Sequence, residues 1–433
     1  MKNSVWHSTA TLPRFDTLQG DKKTDVLIVG GGIAGLLCAY FLKKAGIDYI
    51  LAEAGSISCG ITKNTTAKIT IGHGLIYDKL IRKSGFDAAK MYFEANKDAL
   101  NEYASLCKTI PCNFETKGAY TYSTKDSHII ESEVKAAESL GIDASFTTKT
   151  ELPFDIKGAV MYKNQAQFNP LQFISGIANG LNIYENTFIR EISKNTAISD
   201  NGRISFNKII VCTHFPFINK HGGYFVKLYQ HRSYVSTYEN AQNLIGMYVD
   251  EDLKGLSFRT YDGMLLIGGG SHRTGKKGGN WKELSDFAKK HYPDASLKYM
   301  WATQDCMTLD GLPYAGLYSK STPNMYVATG FNKWGMTNAM ACAKILCDLV
   351  SERENDFAPA FSPDRNMLTP QLFINGFEAV TNLASPTVKR CPHLGCALKW
   401  NKNEHTWDCP CHGSRFEKDG TLIDNPATGD AKM

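Results

Sequence analysis

The 433-residue sequence has no apolar run of transmembrane length, and no apolar stretch ahead of Pro13 of the kind a secretory leader needs. A cytoplasmic location is therefore expected. Charge imbalance is also small. A net charge of +5, with no basic run and no RNA-binding motif, gives no reason to expect nucleic acid as a partner. Internal repeats and low-complexity segments are absent. A second nucleotide fingerprint is missing too. Gly268-Gly-Gly270-Ser-His-Arg273 carries Arg273 where a third glycine should stand, and Thr274–Lys277 does not begin a helix. The segment reads as a hairpin end or polar loop, so no separate NAD(P)H domain is visible, which argues against a pyridine-nucleotide-dependent reductase.

Cysteine, by contrast, is plentiful, with twelve in the chain. Cys38, Cys59, Cys107, Cys112, Cys212, Cys306, Cys342 and Cys347 are scattered, mostly in apolar segments, where a free thiol packs as a small hydrophobe. The other four lie near the C-terminus in two boxes, Cys391-Pro-His393-Leu-Gly-Cys396 and Cys409-Pro-Cys411-His412-Gly-Ser414. A C-x-H and a C-x-x-H carried on two hairpin tips offer two thiolates and two imidazoles. Such a set suits a [2Fe–2S] pair of the type whose histidine ligands raise its potential. Two Cys and two His at close spacing also suit a structural zinc ribbon.

At the other end, Asp25-Val-Leu-Ile-Val29 is a continuous apolar run typical of a buried parallel strand. It enters Gly30-Gly-Gly32-Ile-Ala34-Gly35, a helix over 36–44, a C-capping Gly46, and a second strand, Tyr49–Ala52, closing on Glu53. This is a dinucleotide fingerprint with its whole βαβ context. Gly30 makes the turn, Gly32 admits the pyrophosphate, Gly35 lets helix meet strand, the helix N-terminus from Ala34 onward holds phosphate, and Glu53 takes a ribose. Downstream residues favour FAD over NAD. The small polar stretch containing Thr62, Thr65 and Thr66 can wrap a second phosphate and a flavin edge. A strand over 324–330 runs through Gly330 into Gly335, Met336 and Thr337, which open a helix whose N-terminus can stabilise negative charge on a reduced flavin.

The two C-terminal boxes resemble the Rieske iron–sulfur family almost residue for residue. The resemblance implies that Cys391 and Cys409 ligate one iron and His393 and His412 the other, with Cys396 and Cys411 as a disulfide clamping the loops. Asn425-Pro426-Ala427 looks like the family's proline loop. The strands that normally precede the first box are missing, so a trimmed module leaning on the rest of the protein is expected. Phe416 stands where high-potential members often carry a Tyr hydrogen-bonded to sulfur, which implies a potential below that of the respiratory type.

Residues 23–352 resemble the D-amino-acid oxidase/glycine oxidase family, and Asp310-Gly-Leu-Pro313-Tyr-Ala-Gly316 looks like its turn near the flavin. The two resemblances together imply an α/β (α+β) chain. A Rossmann-like FAD-binding domain (23–85, 150–215, 300–352) would be interleaved with an antiparallel-sheet substrate domain (86–149, 216–299). A polar lead (1–22), a linker with one helix (353–385) and a small all-β Rieske module (386–433) complete it. The expected activity is oxidation of a small amine or amino-acid-like substrate. Electrons would pass from FAD to the [2Fe–2S] cluster and on to a one-electron carrier or quinone-like acceptor. Reversed flow from a carrier to FAD, or a redox sensor, are the alternatives. Candidate substrate contacts are His73, Arg259 and Lys333, with Arg232 and Arg273 in the same inferred sheet.

Overall fold

The computed structural model describes residues 3–366 and 368–433. Its first sheet has the order Tyr314–Leu317, Met325–Thr329, Gly202–Val211, Lys22–Val29, Tyr49–Ala52, Ile183–Tyr184, with Ile189–Ser193 and Thr196–Ser199 as a hairpin beyond Gly202–Val211. Lys22–Val29 pairs in parallel with both Gly202–Val211 and Tyr49–Ala52. Parallel strands covered on both faces become near-continuous apolar runs, as Val26 to Val29 are. Helices Ile33–Lys44 and Gly335–Val350 pack together against this sheet. Each begins at the C-terminal edge of its strand, where ligands bind in open α/β sheets.

The second sheet has nine strands, in the order Ser296–Thr308, Leu228–Glu239, Met264–Arg273, Ser257–Tyr261, Met247–Asp250, Glu115–Ser123, Gly158–Gln167, Lys68–Ile69, with Ala144–Thr147 beside Gly158–Gln167. All pairs are antiparallel except Met247–Asp250 with Glu115–Ser123. The hairpin at Asp262-Gly263 closes through two positive-φ residues, the geometry a two-residue turn with right-handed strand twist requires.

Two sequence expectations are corrected here. Gly268–Gly270 is not a hairpin end or loop but lies inside the strand Met264–Arg273, paired with Leu228–Glu239. A Cβ on Gly269 would meet Leu256 at 2.4 Å, so close packing rather than a turn explains the glycine there. Strands Lys68–Ile69 and Gly158–Gln167, and the greater part of Ser296–Thr308, belong to the second sheet, although they fall in the segments assigned to the flavin domain. Alternation alone cannot say which sheet a strand joins. The polar lead is also docked: Val5 and Trp6, in the short helix Val5–Thr9, are fully buried, and the Trp6 indole donates to Thr65 O at 2.7 Å.

The C-terminal unit is a four-stranded antiparallel sheet, Lys399–Asn401, Thr406–Asp408, Arg415–Phe416 and Leu422–Asp424, with its own small core around Leu398 and Phe416. It joins the rest through the helix Pro370–Ala384, which lies in the expected linker.

Candidate active site

A cavity of about 950 Å³ runs between the two large sheets, at the upper end of the range for small-molecule sites. Its lining includes Gly30, Gly32, Ala34 and Glu53, then Thr62, Thr65 and Thr66, and Lys333, Trp334, Gly335 and Met336. Gly30 has φ +109°, and a Cβ there would sit 2.6 Å from Cys212 O. A Cβ on Gly35 would strike Gly30 O at 1.9 Å, so only glycine lets this helix start so near its strand. Gly32, in contrast, faces open space apart from Thr62 Oγ1 at 3.5 Å, a cradle a ligand can enter. Thr62 Oγ1 accepts from Ile33 N at 3.0 Å, and the Glu53 carboxylate accepts from Gly31 N and Gly55 N at 2.6 and 2.8 Å. Gly35, Gly330 and Thr337 stand behind the wall rather than on it. Thr337 bonds the buried His73.

His73 lines the cavity, stacked on Trp334 with ring centroids 5.1 Å apart. Its Nδ1 meets Tyr92 OH at 2.6 Å, and burial pushes its pKa down to about 3, so the ring is neutral. Lys333 also lines the cavity and donates to Ser233 Oγ, Ser271 Oγ and Asp305 at 2.6, 3.0 and 3.1 Å. Arg259 does not reach it. The guanidinium is fully buried behind the Thr65–Ala67 loop, donating to Thr66 O and Ala67 O at 2.6 and 2.9 Å and lying over Trp6 and Tyr261. It therefore shapes the loop. Lys68, which ends the polar stretch expected to wrap the flavin, does line the cavity. Burial, with Arg259 nearby, lowers its pKa to about 7.

The C-terminal tips gather all four expected donors. His393 Nδ1 and His412 Nδ1 face each other at 3.2 Å, and the Cys391 and Cys409 thiols are in hydrogen-bond contact. His393 Nε2 meets Asn219 Oδ1 at 2.7 Å, which places the proton on Nε2 and leaves Nδ1 as a free lone pair for metal. Burial lowers both imidazole pKa values, to about 4 for His393 and about 3 for His412, so both rings are in the ligating form. Ser414 Oγ bonds the Cys391 sulfur and accepts from Ala427 N at 3.0 Å. Cys396 and Cys411 lie at disulfide distance, joining the two loops. With those two sulfurs bonded to each other, two thiols and two imidazoles remain, a set that fits a [2Fe–2S] pair.

The tips are pressed onto the second sheet. Gln230 and Gln304, each 1% exposed, donate to His412 O and Gly413 O at 3.0 and 2.9 Å. Gln230 Oε1 also accepts from His214 Nε2 at 3.0 Å, and His214 lines the cavity. A single side chain thus separates the cavity wall from His412, one of the four candidate cluster donors. Asn425 donates to Phe215 O at 2.9 Å, and Ile423, Asp424, Asn425 and Ala427 form part of the cavity wall themselves. Arg232 pairs with Glu404, and Arg273 donates to Pro410 O and Cys411 O at 3.1 and 3.3 Å. Neither lines the cavity, so both hold the C-terminal unit instead of a substrate carboxylate.

Comparison with known proteins settles the class. The family of FAD dependent oxidoreductases matches residues 25–349. The chain belongs to the FAD-dependent oxidoreductases. The Rieske [2Fe-2S] domain matches residues 384–433, so this FAD-dependent oxidoreductase carries a C-terminal Rieske domain and binds both FAD and a [2Fe–2S] cluster. It is 34% identical, over 98% of its length and 96% of the relative's, to a putative Rieske 2Fe-2S iron-sulfur protein, YhfW, of Bacillus subtilis (strain 168). It is 24% identical to the gamma-glutamylputrescine oxidoreductase of Escherichia coli (strain K12), over 79% of this chain and 88% of that one. Among solved structures, glycine oxidase from Geobacillus kaustophilus superposes with a TM-score of 0.67 at 19% identity, covering 80% of this oxidoreductase and 99% of that chain.

Asn219, Gln230, Gln304 and Asp305 had no sequence signal. Each of these four acts through a partner well along the chain, and none belongs to a short motif.

Proposed function

We propose that this oxidoreductase removes two electrons from a small amine or amino-acid-like substrate at the flavin and passes them singly through the Rieske cluster to an external acceptor. When bound, the flavin would supply hydride acceptance and the cluster single-electron transfer, while this chain's residues bind, orient and shield. The carrying observation is the shared wall. Rieske residues Ile423–Asn425 line the same cavity as Gly30 and Glu53, and Gln230 touches both His214 and the backbone of His412.

The cavity lining favours a charged polar substrate. Asp250, Glu251 and Asp252 line part of the wall and attract an ammonium, while Lys333, Asp305, Ser233 and Lys68 offer charged and hydroxyl groups within. Neutral His73 and Trp334 make an aromatic floor. The E. coli relative named for gamma-glutamylputrescine and the glycine oxidase fold are consistent with an amine as the reacting group.

Anaerobic titration with amines and amino acids tests the reading. Flavin bleaching by one of them, followed by a Rieske EPR signal, is expected. Bleaching by a reduced one-electron carrier, with no amine effective, would reverse the direction of flow.

A further inference from the structure

The linker helix Pro370–Ala384 is turned inside out. Its inward stripe is polar. Asn375 accepts from Arg273 at 2.9 Å and donates to Val226 O at 3.2 Å, Glu378 pairs with Lys276 at 2.6 Å, and Asn382 is buried. Its outward stripe is Phe373, Ile374, Phe377, Val380 and Leu383, with exposures of 71, 50, 69, 66 and 47%. A soluble helix normally points its apolar stripe at the core. Leu368 and Val388 extend the patch, at 75 and 87% exposed, and Leu394 continues it onto the cluster tip. Eight of the sixteen exposed large apolar side chains among the described residues fall between 368 and 394. Their exposed area is on the order of 800 Å², above the few hundred Å² usual for the largest patch on a monomer.

From this we infer that the helix face docks the protein on an anionic lipid bilayer. Charge complementarity favours that occupant. Between 366 and 399 the sole acid is Glu378, turned inward and neutralised by Lys276, while Lys389, Arg390 and Lys399 are basic and Lys277 lies exposed next to Lys276. Basic residues at the edge of an apolar stripe sit at headgroup level when the stripe enters the acyl boundary. The patch centre has Phe, Ile, Leu and Val and none of the Tyr, Trp, Met or Arg that, with Phe, are enriched in protein interface cores.

Docking has a consequence that rests on the electron-transfer proposal above. Leu383 Cδ2 lies 3.8 Å from the Cβ position of Gly395, and Leu394 is the neighbour of His393. The bilayer would then meet the chain beside the more exposed cluster ligand, where a lipid-dissolved acceptor is within reach.

Co-sedimentation of the full holoprotein with vesicles tests the docking without using turnover. Vesicles of phosphatidylcholine with phosphatidylglycerol should bind it, and binding should weaken on removing the phosphatidylglycerol or adding salt. The triple variant Phe373→Ser/Phe377→Ser/Val380→Ser should lose at least about tenfold in partitioning while keeping its flavin and cluster spectra. Equal binding by the variant, or none by the wild type, overturns the inference. So does a wild-type dimer in light scattering that the variant abolishes, because a second copy would then cover the patch. Cluster reduction by the flavin within the soluble variant is measured separately, so loss of docking and loss of electron transfer are told apart.

Discussion

Replacing Gln304 with leucine tests how the Rieske tip is held. Gln304 keeps roughly its size in this change but loses the amide that donates to Gly413 O at 2.9 Å and accepts from the Thr274 hydroxyl at 3.0 Å. Both partners are buried, so a carbonyl is left without a donor where water does not reach. Such a group costs about 1–3 kcal/mol, which lowers the ratio of docked to undocked tip about 5- to 150-fold. Adding Gln230→Leu strips His412 O of its donor as well. The two sites adjoin on paired strands, so their effects should not simply add. Native hydrogen exchange is the assay. Peptides spanning 405–416 should lose protection by that factor, while those spanning the central strand Lys22–Val29 should not change. Flavin-to-cluster transfer should slow in parallel. Unchanged exchange across 405–416 in the double variant would refute the idea that these amides hold the tip.

Further outcomes follow from single sites. Phe416→Tyr, in the buried Rieske core, should raise the cluster midpoint by about 40 mV if the new hydroxyl makes one net hydrogen bond of about 1 kcal/mol to sulfur; a redox titration with no change would dismiss it. Gly35→Ala should cut flavin content at least about tenfold, since its Cβ would occupy the place of Gly30 O, and a variant isolated with full flavin absorbance contradicts that packing. Glu133 is buried and accepts from Tyr77 N and Asp78 N at 2.9 Å, yet burial pushes its pKa up to about 7. The folded state therefore keeps a proton that the unfolded chain releases above pH 4.5. Stability should fall by about 3 kcal/mol as pH rises from 4.5 to 7, and level off beyond. Glu133→Gln should flatten that slope in thermal melts, and parallel slopes in the two proteins would exclude Glu133 as its source.

The parts of this molecule written in short motifs were readable from sequence. Gly30 to Glu53 and Cys391 to Ser414 each encode a local loop whose backbone path is fixed by glycine or by ligand spacing. Substrate-side chemistry was not readable in that way. Arg232, Arg259 and Arg273 alternate along strands as solvated or substrate-facing charges would. Their partners (Glu404, the Thr66 and Ala67 carbonyls, and Pro410) come from far along the chain. Sheet membership was lost for a similar reason: nothing within Gly158–Gln167 itself names the edge it joins. The inverted linker helix is the most informative miss. Its 3.6-residue apolar stripe marks a helix correctly, but periodicity leaves open whether the stripe faces the core or something outside the chain.

The central claim is that flavin and cluster exchange electrons inside one chain, across the wall made by His214, Gln230 and His412. Its most direct test needs no substrate. The flavin of the holoprotein is photoreduced under anaerobic conditions, and the Rieske EPR signal is followed over time at several protein concentrations. The account predicts a cluster signal that grows with a first-order rate constant independent of concentration. A cluster that stays oxidised beside a fully reduced flavin, or a rate constant that scales with protein concentration, would contradict it.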